Sequence, residues 1–137
     1  MAVDIFTVDA DIYVCPTNGV GVIGAGLAKQ FAHMFPDLLA DYQQACLDGA
    51  QEPGRLFMWV IGRTRRPELE GRMVCCLPTK RHWKDQSNLE DLLMTTQVLE
   101  AWMSDNPGNT AAIPPLGCGL GGLKWSEVGP LLREQFN

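Results

Sequence analysis

The stretch Ile12-Tyr13-Val14-Cys15-Pro16-Thr17-Asn18, continued by Gly19-Val20-Gly21-Val22-Ile23-Gly24-Ala25-Gly26 and then by Leu27-Ala28-Lys29-Gln30-Phe31, decides the fold class. Residues 12–15 are a short apolar run, read as a strand that ends at Pro16-Thr17-Asn18. The glycines that come next carry no Cβ, so the backbone there can come close to a ligand. Beyond them Leu27, Ala28, Phe31, Met34 and Phe35 recur at helical spacing until Pro36 breaks the pattern. A strand, a glycine-rich connection and a helix form the unit from which parallel α/β sheets are built.

The same alternation continues downstream. Leu38, Leu39, Tyr42, Ala45 and Cys46 predict a second helix, stopped by Gly49. Residues 56–61 and 73–77 are continuous apolar runs, as expected of parallel strands buried on both faces. Ser87 and Glu90 form an S-x-x-E capping box ahead of a helix that turns Leu89, Leu92, Leu93, Leu99, Trp102 and Met103 inward and ends at Pro107-Gly108. Residues 110–113 read as another strand. It runs into Pro114-Pro115-Leu116-Gly117-Cys118-Gly119-Leu120-Gly121-Gly122, and a last helix starts near Ser126. Pro130 is tolerated there because first-turn amides have no intrahelical partner. The pattern predicts one α/β domain over residues 1–137, with a mostly parallel sheet and ligands beyond the carboxyl ends of its strands.

Composition narrows the function classes. The net charge of −5 argues against broad, non-specific affinity for nucleic acid. Yet eight of the eleven Lys and Arg residues fall between Arg55 and Lys84, opposed there only by Glu68 and Glu70. That cluster reads either as a basic face for a polyanion or as a solvated loop. No apolar run approaches the ~20 residues that span a bilayer, and the first residues lack the pattern of a secretory leader. The five cysteines, Cys15, Cys46, Cys75, Cys76 and Cys118, show no C-x-x-C spacing. They predict neither a disulfide framework nor a metal site, and they suit a reducing, cytoplasmic setting.

Gly19 to Gly24 formally match G-x-G-x-x-G, the dinucleotide-binding fingerprint. The chain is short for such an enzyme, and the polar Pro-Thr-Asn turn separates strand from glycines. Gly117 to Gly122 form a second glycine-rich stretch after a strand. Successive N–H groups in such loops point at oxygen anions, so two of them can clamp one diphosphate from both sides. Asn18 stands at a strand end, where its amide can hold a ribose hydroxyl or simply cap a turn. Asp4 can accept from an adenine amine or lie on the surface. Pro78-Thr79-Lys80-Arg81-His82-Trp83-Lys84 leaves the same edge as both loops. A desolvated lysine there can serve as nucleophile or proton carrier, Trp83 can stack on a base and Arg81 can meet a phosphate. The alternative is a basic surface turn with Trp83 folded inward.

These motifs together resemble the macrodomain family, over nearly the whole chain. VDIFTVDADIYVCPTN matches, without gaps, the family's pattern of an adenine-contacting Asp-Ile and a ribose-contacting Asn, with Val3 where Gly is usual. The resemblance implies a three-layer α/β/α sandwich, minimal at both termini, that binds ADP-ribose. Asp4 and Ile5 would lie at the adenine and Asn18 at the distal ribose. Gly24, Ala25, Gly26 and Leu27 would face Gly117, Cys118, Gly119, Leu120, Gly121 and Gly122 across the diphosphate.

Within the family, LPTKRHWKDQSNLE and PPLGCGLGGLKWSEV are most similar to the DarG antitoxin branch, which reverses ADP-ribosylation of thymidine in DNA. Lys80 then matches the catalytic lysine, and Arg81, His82, Trp83 and Lys84 become nucleic-acid contact candidates. A related branch, acting on protein esters, pairs its lysine with an Asp in the second loop. Residues 119–122 read Gly-Leu-Gly-Gly and hold none. Another branch has an extra Asn and Asp after the first Asn, absent from GVGVIGAG. The resemblance thus implies a monomeric DNA ADP-ribosyl glycohydrolase with no cofactor, no metal and no membrane attachment. Its partner would be ADP-ribosylated single-stranded DNA. The rivals are a non-catalytic ADP-ribose reader, a hydrolase of protein-linked ADP-ribose or of ADP-ribose 1″-phosphate, and an NAD enzyme.

Overall fold

The computed structural model describes residues 4–18, 26–49, 51, 54–80, 88–116 and 123–136, with Lys80 described by its backbone alone. Four strands, β1 (Ile12–Asn18), β2 (Phe57–Val60), β3 (Met73–Lys80) and β4 (Ala111–Ala112), form one sheet in the order β2-β3-β1-β4. β1 runs parallel to both β3 and β4, and β2 is antiparallel to β3. The helices are α1 (Gly26–Met34), α2 (Leu38–Leu47), α3 (Leu89–Asp105) and α4 (Trp125–Gln135), and single 3-10 turns occupy Ile5–Thr7 and Pro67–Leu69. Among the described residues no helix is long and apolar enough to cross a membrane.

Strand alternation sorts the side chains into two cores. Tyr13, Cys15, Val74 and Cys76 face α1 and α2, where Phe6, Phe31, Phe35, Leu38 and Tyr42 close the layer. Ile12, Val14, Cys75 and Leu77 face Leu92, Leu99, Val128 and Leu132 of α3 and α4. The result is an α/β/α sandwich whose two central strands are buried on both sides. Edge-to-face contact of Phe6 with Phe31, at 4.9 Å between ring centres, ties the 3-10 turn to α1. Such pairs contribute about 0.5–1.5 kcal/mol beyond burial.

Several expectations need correction. β1 does not end at Pro16 but continues to Asn18, because its pairing with β3 stays in register through Pro16 and Thr17 and shifts, at a bulge on β3, only between Thr17 and Asn18. Residues 57–60 are not a doubly buried parallel strand. β2 is an antiparallel edge strand with Val60 64% exposed. The cap of α3 is Asn88, whose Oδ1 accepts from the Asp91 N–H at 2.8 Å; Ser87 lies outside the described residues. Leu89 and Leu93 face outward, while Thr95 and Thr96 are buried, each hydroxyl bonded back to a carbonyl of its own helix. Pro130 falls in the second turn of α4, not the first, so it does omit a helical hydrogen bond.

Candidate active site

Parallel pairing of β1 with β3 and β4 carries three strand ends to one edge of the sheet. In the β1–β3 register Asn18 is the partner of Lys80. Thr17 pairs with Pro78, so Thr79 is the extra residue of the bulge, which re-aims the chain at Lys80. Two candidates separated by more than sixty residues in sequence thus become neighbours. The residues flanking both glycine-rich stretches sit at this edge as well. Asn18 precedes the first and Gly26 begins α1 after it, with φ +65°, a left-handed conformation that favours glycine. Leu116, fully buried, precedes the second. Gly24, Ala25, Gly117, Cys118, Gly119, Leu120, Gly121, Gly122, Arg81, His82, Trp83 and Lys84 lie outside the described residues.

Beneath this edge is a buried polar layer. The Tyr42 hydroxyl, fully enclosed on α2, lies 2.8 Å from the Asn18 carbonyl oxygen and 3.0 Å from Asn18 Oδ1, and it can donate to either. It also accepts from the Asn18 N–H at 3.4 Å. Burial raises the pKa of this phenol well above its ordinary value, so it remains a protonated donor. Gln51, 1% exposed, donates from Nε2 to the Cys76 carbonyl at 2.9 Å and accepts from the Thr17 hydroxyl. The Thr79 hydroxyl reaches the Thr17 carbonyl at 3.5 Å. This layer fixes the ends of β1 and β3 and the orientation of Asn18, since buried polar groups persist only when partnered.

Neither Tyr42 nor Gln51 was among the expected site residues. Tyr42 counted only as an apolar position on a helix face, although a phenol turned inward needs a partner for its hydroxyl. Gln51 lies between α2 and β2, and nothing local in the sequence ties it to β1 and β3.

Asp4 and Ile5 are placed elsewhere. The Asp4 carboxylate caps the first 3-10 turn through the Phe6 N–H, at 3.0 Å, and pairs with Arg66 of the connection into β3 at 3.1 Å. Ile5, with Leu27 and Ala28, packs on the α1-side core. The basic cluster divides. Arg63 pairs with Asp37, Arg72 with Asp9, and Arg65 donates to the His33 carbonyl, all near the amino ends of β1 and β3. A cavity of about 460 Å³ opens there, lined by Phe6, Tyr13, Arg66, Leu69 and Arg72. Arg55, which donates to the Gly49 carbonyl, precedes β2 and so shares the carboxyl edge of β3 with Lys80. The described residues of the segment therefore offer no single basic face.

The sequence model of the macro domain matches residues 14–132, the span that holds β2, β3, β4, most of β1, and Asn18 with Lys80. The chain belongs to the macro domain family. The Macrodomain of Mycobacterium tuberculosis DarG superposes with a TM-score of 0.87 at 32% identity, covering 99% of this macro domain and 87% of that chain. Thermosipho africanus DarTG in complex with ADP-ribose also gives a TM-score of 0.87, at 31% identity, over 96% of this chain and 36% of that one. A curated relative from Thermus aquaticus, named DNA ADP-ribosyl glycohydrolase, is 37% identical over 117 residues, which is 85% of this chain and 31% of that protein. This macro domain spans about a third of the length of the curated relatives it first matches.

Proposed function

We propose that this macro domain binds ADP-ribose across the carboxyl ends of β1, β3 and β4 and releases it from thymidine in single-stranded DNA, with Lys80 as the reacting side chain. The observation that carries the reading is the pairing of Asn18 with Lys80 on adjacent parallel strands. It is supported by the relatives named DNA ADP-ribosyl glycohydrolase and by the similar Thermosipho africanus structure in complex with ADP-ribose.

In this reading the backbone amides of 24–27 and 117–122 hold the diphosphate, and Asn18, locked by Tyr42, orients the distal ribose. Asp4 and Ile5 take the adenine end, with the Asp4 carboxylate shared between the ligand and Arg66. Arg81, His82, Trp83 and Lys84 meet the DNA next to the reacting lysine. Remote binding of the diphosphate positions the sugar for reaction. Cleavage of the N-glycosidic bond places positive charge on the anomeric carbon and negative charge on the departing base. Lys80 answers either as a neutral amine that attacks the carbon or as an ammonium that protonates the base. Water completes the reaction, giving ADP-ribose and unmodified DNA. The protein is expected to act as a monomer in a cytoplasmic setting, with no cofactor or metal.

The test is a thymidine-ADP-ribosylated single-stranded oligonucleotide incubated with wild-type protein and with Lys80→Ala. Return of unmodified DNA with wild type and loss of that return in the variant is expected, with ADP-ribose affinity nearly unchanged. Equal turnover by both proteins refutes the role of Lys80. ADP-ribose binding without any release would make the domain a reader.

A further inference from the structure

Trp125 is a large apolar side chain left 49% exposed at a position where the helix pattern calls for burial. It opens α4 and lies, at helical spacing, in line with Val128, Gly129 and Leu132, which are buried. α4 follows β4, which runs parallel to β1, and Trp125 stands three residues after Gly122, the end of the second glycine-rich stretch. The indole itself lies back over the second turn of α4, against Gly129.

Its seat is specific. A Cβ placed on Gly129 would come within 3.0 Å of Trp125 Cε2 and 3.1 Å of Cζ2, so the ring rests on the bare backbone of that glycine. The same Cβ would lie 3.4 Å from Arg133 Nη2, which brings the guanidinium beside the indole. Lys124 precedes Trp125 and is exposed, as is Arg133. Glu127 and Glu134 fall on the opposite side of the helix by spacing. An indole held against backbone on one side and open on the other, flanked by two cations, is the combination that takes a nucleobase and its phosphates.

We infer that Trp125 is a stacking platform for an unmodified base of the DNA strand, next to the ADP-ribosylated nucleotide, with Lys124 and Arg133 on the adjoining phosphates. This deepens the proposed reaction and rests on it for the identity of the strand. Trp125 is a specificity residue, remote from the bond that breaks.

The test measures binding of an oligonucleotide carrying one ADP-ribosylated thymidine in the Lys80→Ala background, so that the adduct stays intact, and binding of ADP-ribose alone. Trp125→Ala should weaken the oligonucleotide about tenfold or more, the usual loss for one stacked base, and leave ADP-ribose affinity unchanged. Trp125→Phe should retain most of the binding. Trp125→Leu, which still covers Gly129 but has no aromatic face, should behave like Trp125→Ala and serves if the smaller residue unfolds the helix. Unaltered oligonucleotide affinity in Trp125→Leu overturns the inference. So does an equal loss for ADP-ribose, which would make the indole part of the ADP-ribose cleft or of the fold. The two proposals fail separately. Trp125-dependent binding without release by wild type refutes the glycohydrolase, and release with Trp125-independent binding refutes the platform.

Discussion

Replacing Tyr42 by Phe removes one oxygen from the layer beneath the site and nothing else. The hydroxyl lies within 3.0 Å of both the Asn18 carbonyl oxygen and Oδ1, in a place where Tyr42 is fully buried and Asn18 is 5% exposed. Removing the donor while leaving a buried acceptor costs about 1–3 kcal/mol. For a domain of this size each kcal/mol lowers the midpoint by roughly 3–4 °C, so thermal unfolding should shift by roughly 3–12 °C. The effect on binding is separate. Loss of the Tyr42 contact to Oδ1 loosens the Asn18 amide, and the order the ligand must then restore is worth up to about 0.5–1.5 kcal/mol. ADP-ribose should therefore bind about two- to tenfold more weakly in calorimetric titration. A lower midpoint with unchanged ADP-ribose affinity would refute the claim that Tyr42 orients Asn18, and an unchanged midpoint would refute the energetic reasoning.

The Asp11 carboxyl is held below the ordinary carboxylate range, chiefly by the Thr110 N–H at 2.8 Å and then by the Thr110 hydroxyl, tying the start of β1 to β4. A depressed folded pKa gives stability that is present above the unfolded value and lost as pH falls through the folded one. Urea midpoints at about pH 7 and about pH 3 should therefore differ less in Asp11→Asn than in wild type. The thiol pKa values of Cys75 and Cys76 are raised, Cys75 by burial and Cys76 first by its hydrogen bond with Cys15 and then by burial. Iodoacetamide at about pH 8 should leave both unlabelled in native protein and label both in urea, as read by mass spectrometry. Gly26→Ala forces a Cβ onto φ +65° at the start of α1. It should cost about 1 kcal/mol and weaken ADP-ribose binding, and unchanged binding would separate the start of α1 from the site.

Much of the architecture could be read from the chain. Alternating apolar runs and helical periodicities locate the four strands and four α-helices of the described residues, because each buries a face whose spacing is local. Pairings are not local. That Asn18 stands opposite Lys80 is the result of a register set by both cores, and Tyr42 and Gln51 support them because of where α2 and the next turn fall. The antiparallel course of β2 was hidden for a similar reason, since an apolar run such as Phe57-Met58-Trp59-Val60 has the same appearance in either direction. The basic segment misled through composition. Charges counted along the chain as one cluster are divided in space, with Arg63 and Arg72 each matched by an aspartate near the amino ends of β1 and β3 and Arg66 matched by Asp4.

The placement of the ligand at the carboxyl edge is tested most directly by amide shifts in a ¹⁵N-labelled sample titrated with ADP-ribose. The expected result is saturable perturbation of Asn18, Gly26, Leu27 and Lys80 and of residues in 19–25 and 117–122, with Glu68, Leu69 and Arg72 unmoved. Perturbation centred instead on Tyr13, Leu69 and Arg72, around the cavity at the amino ends of the strands, would contradict it.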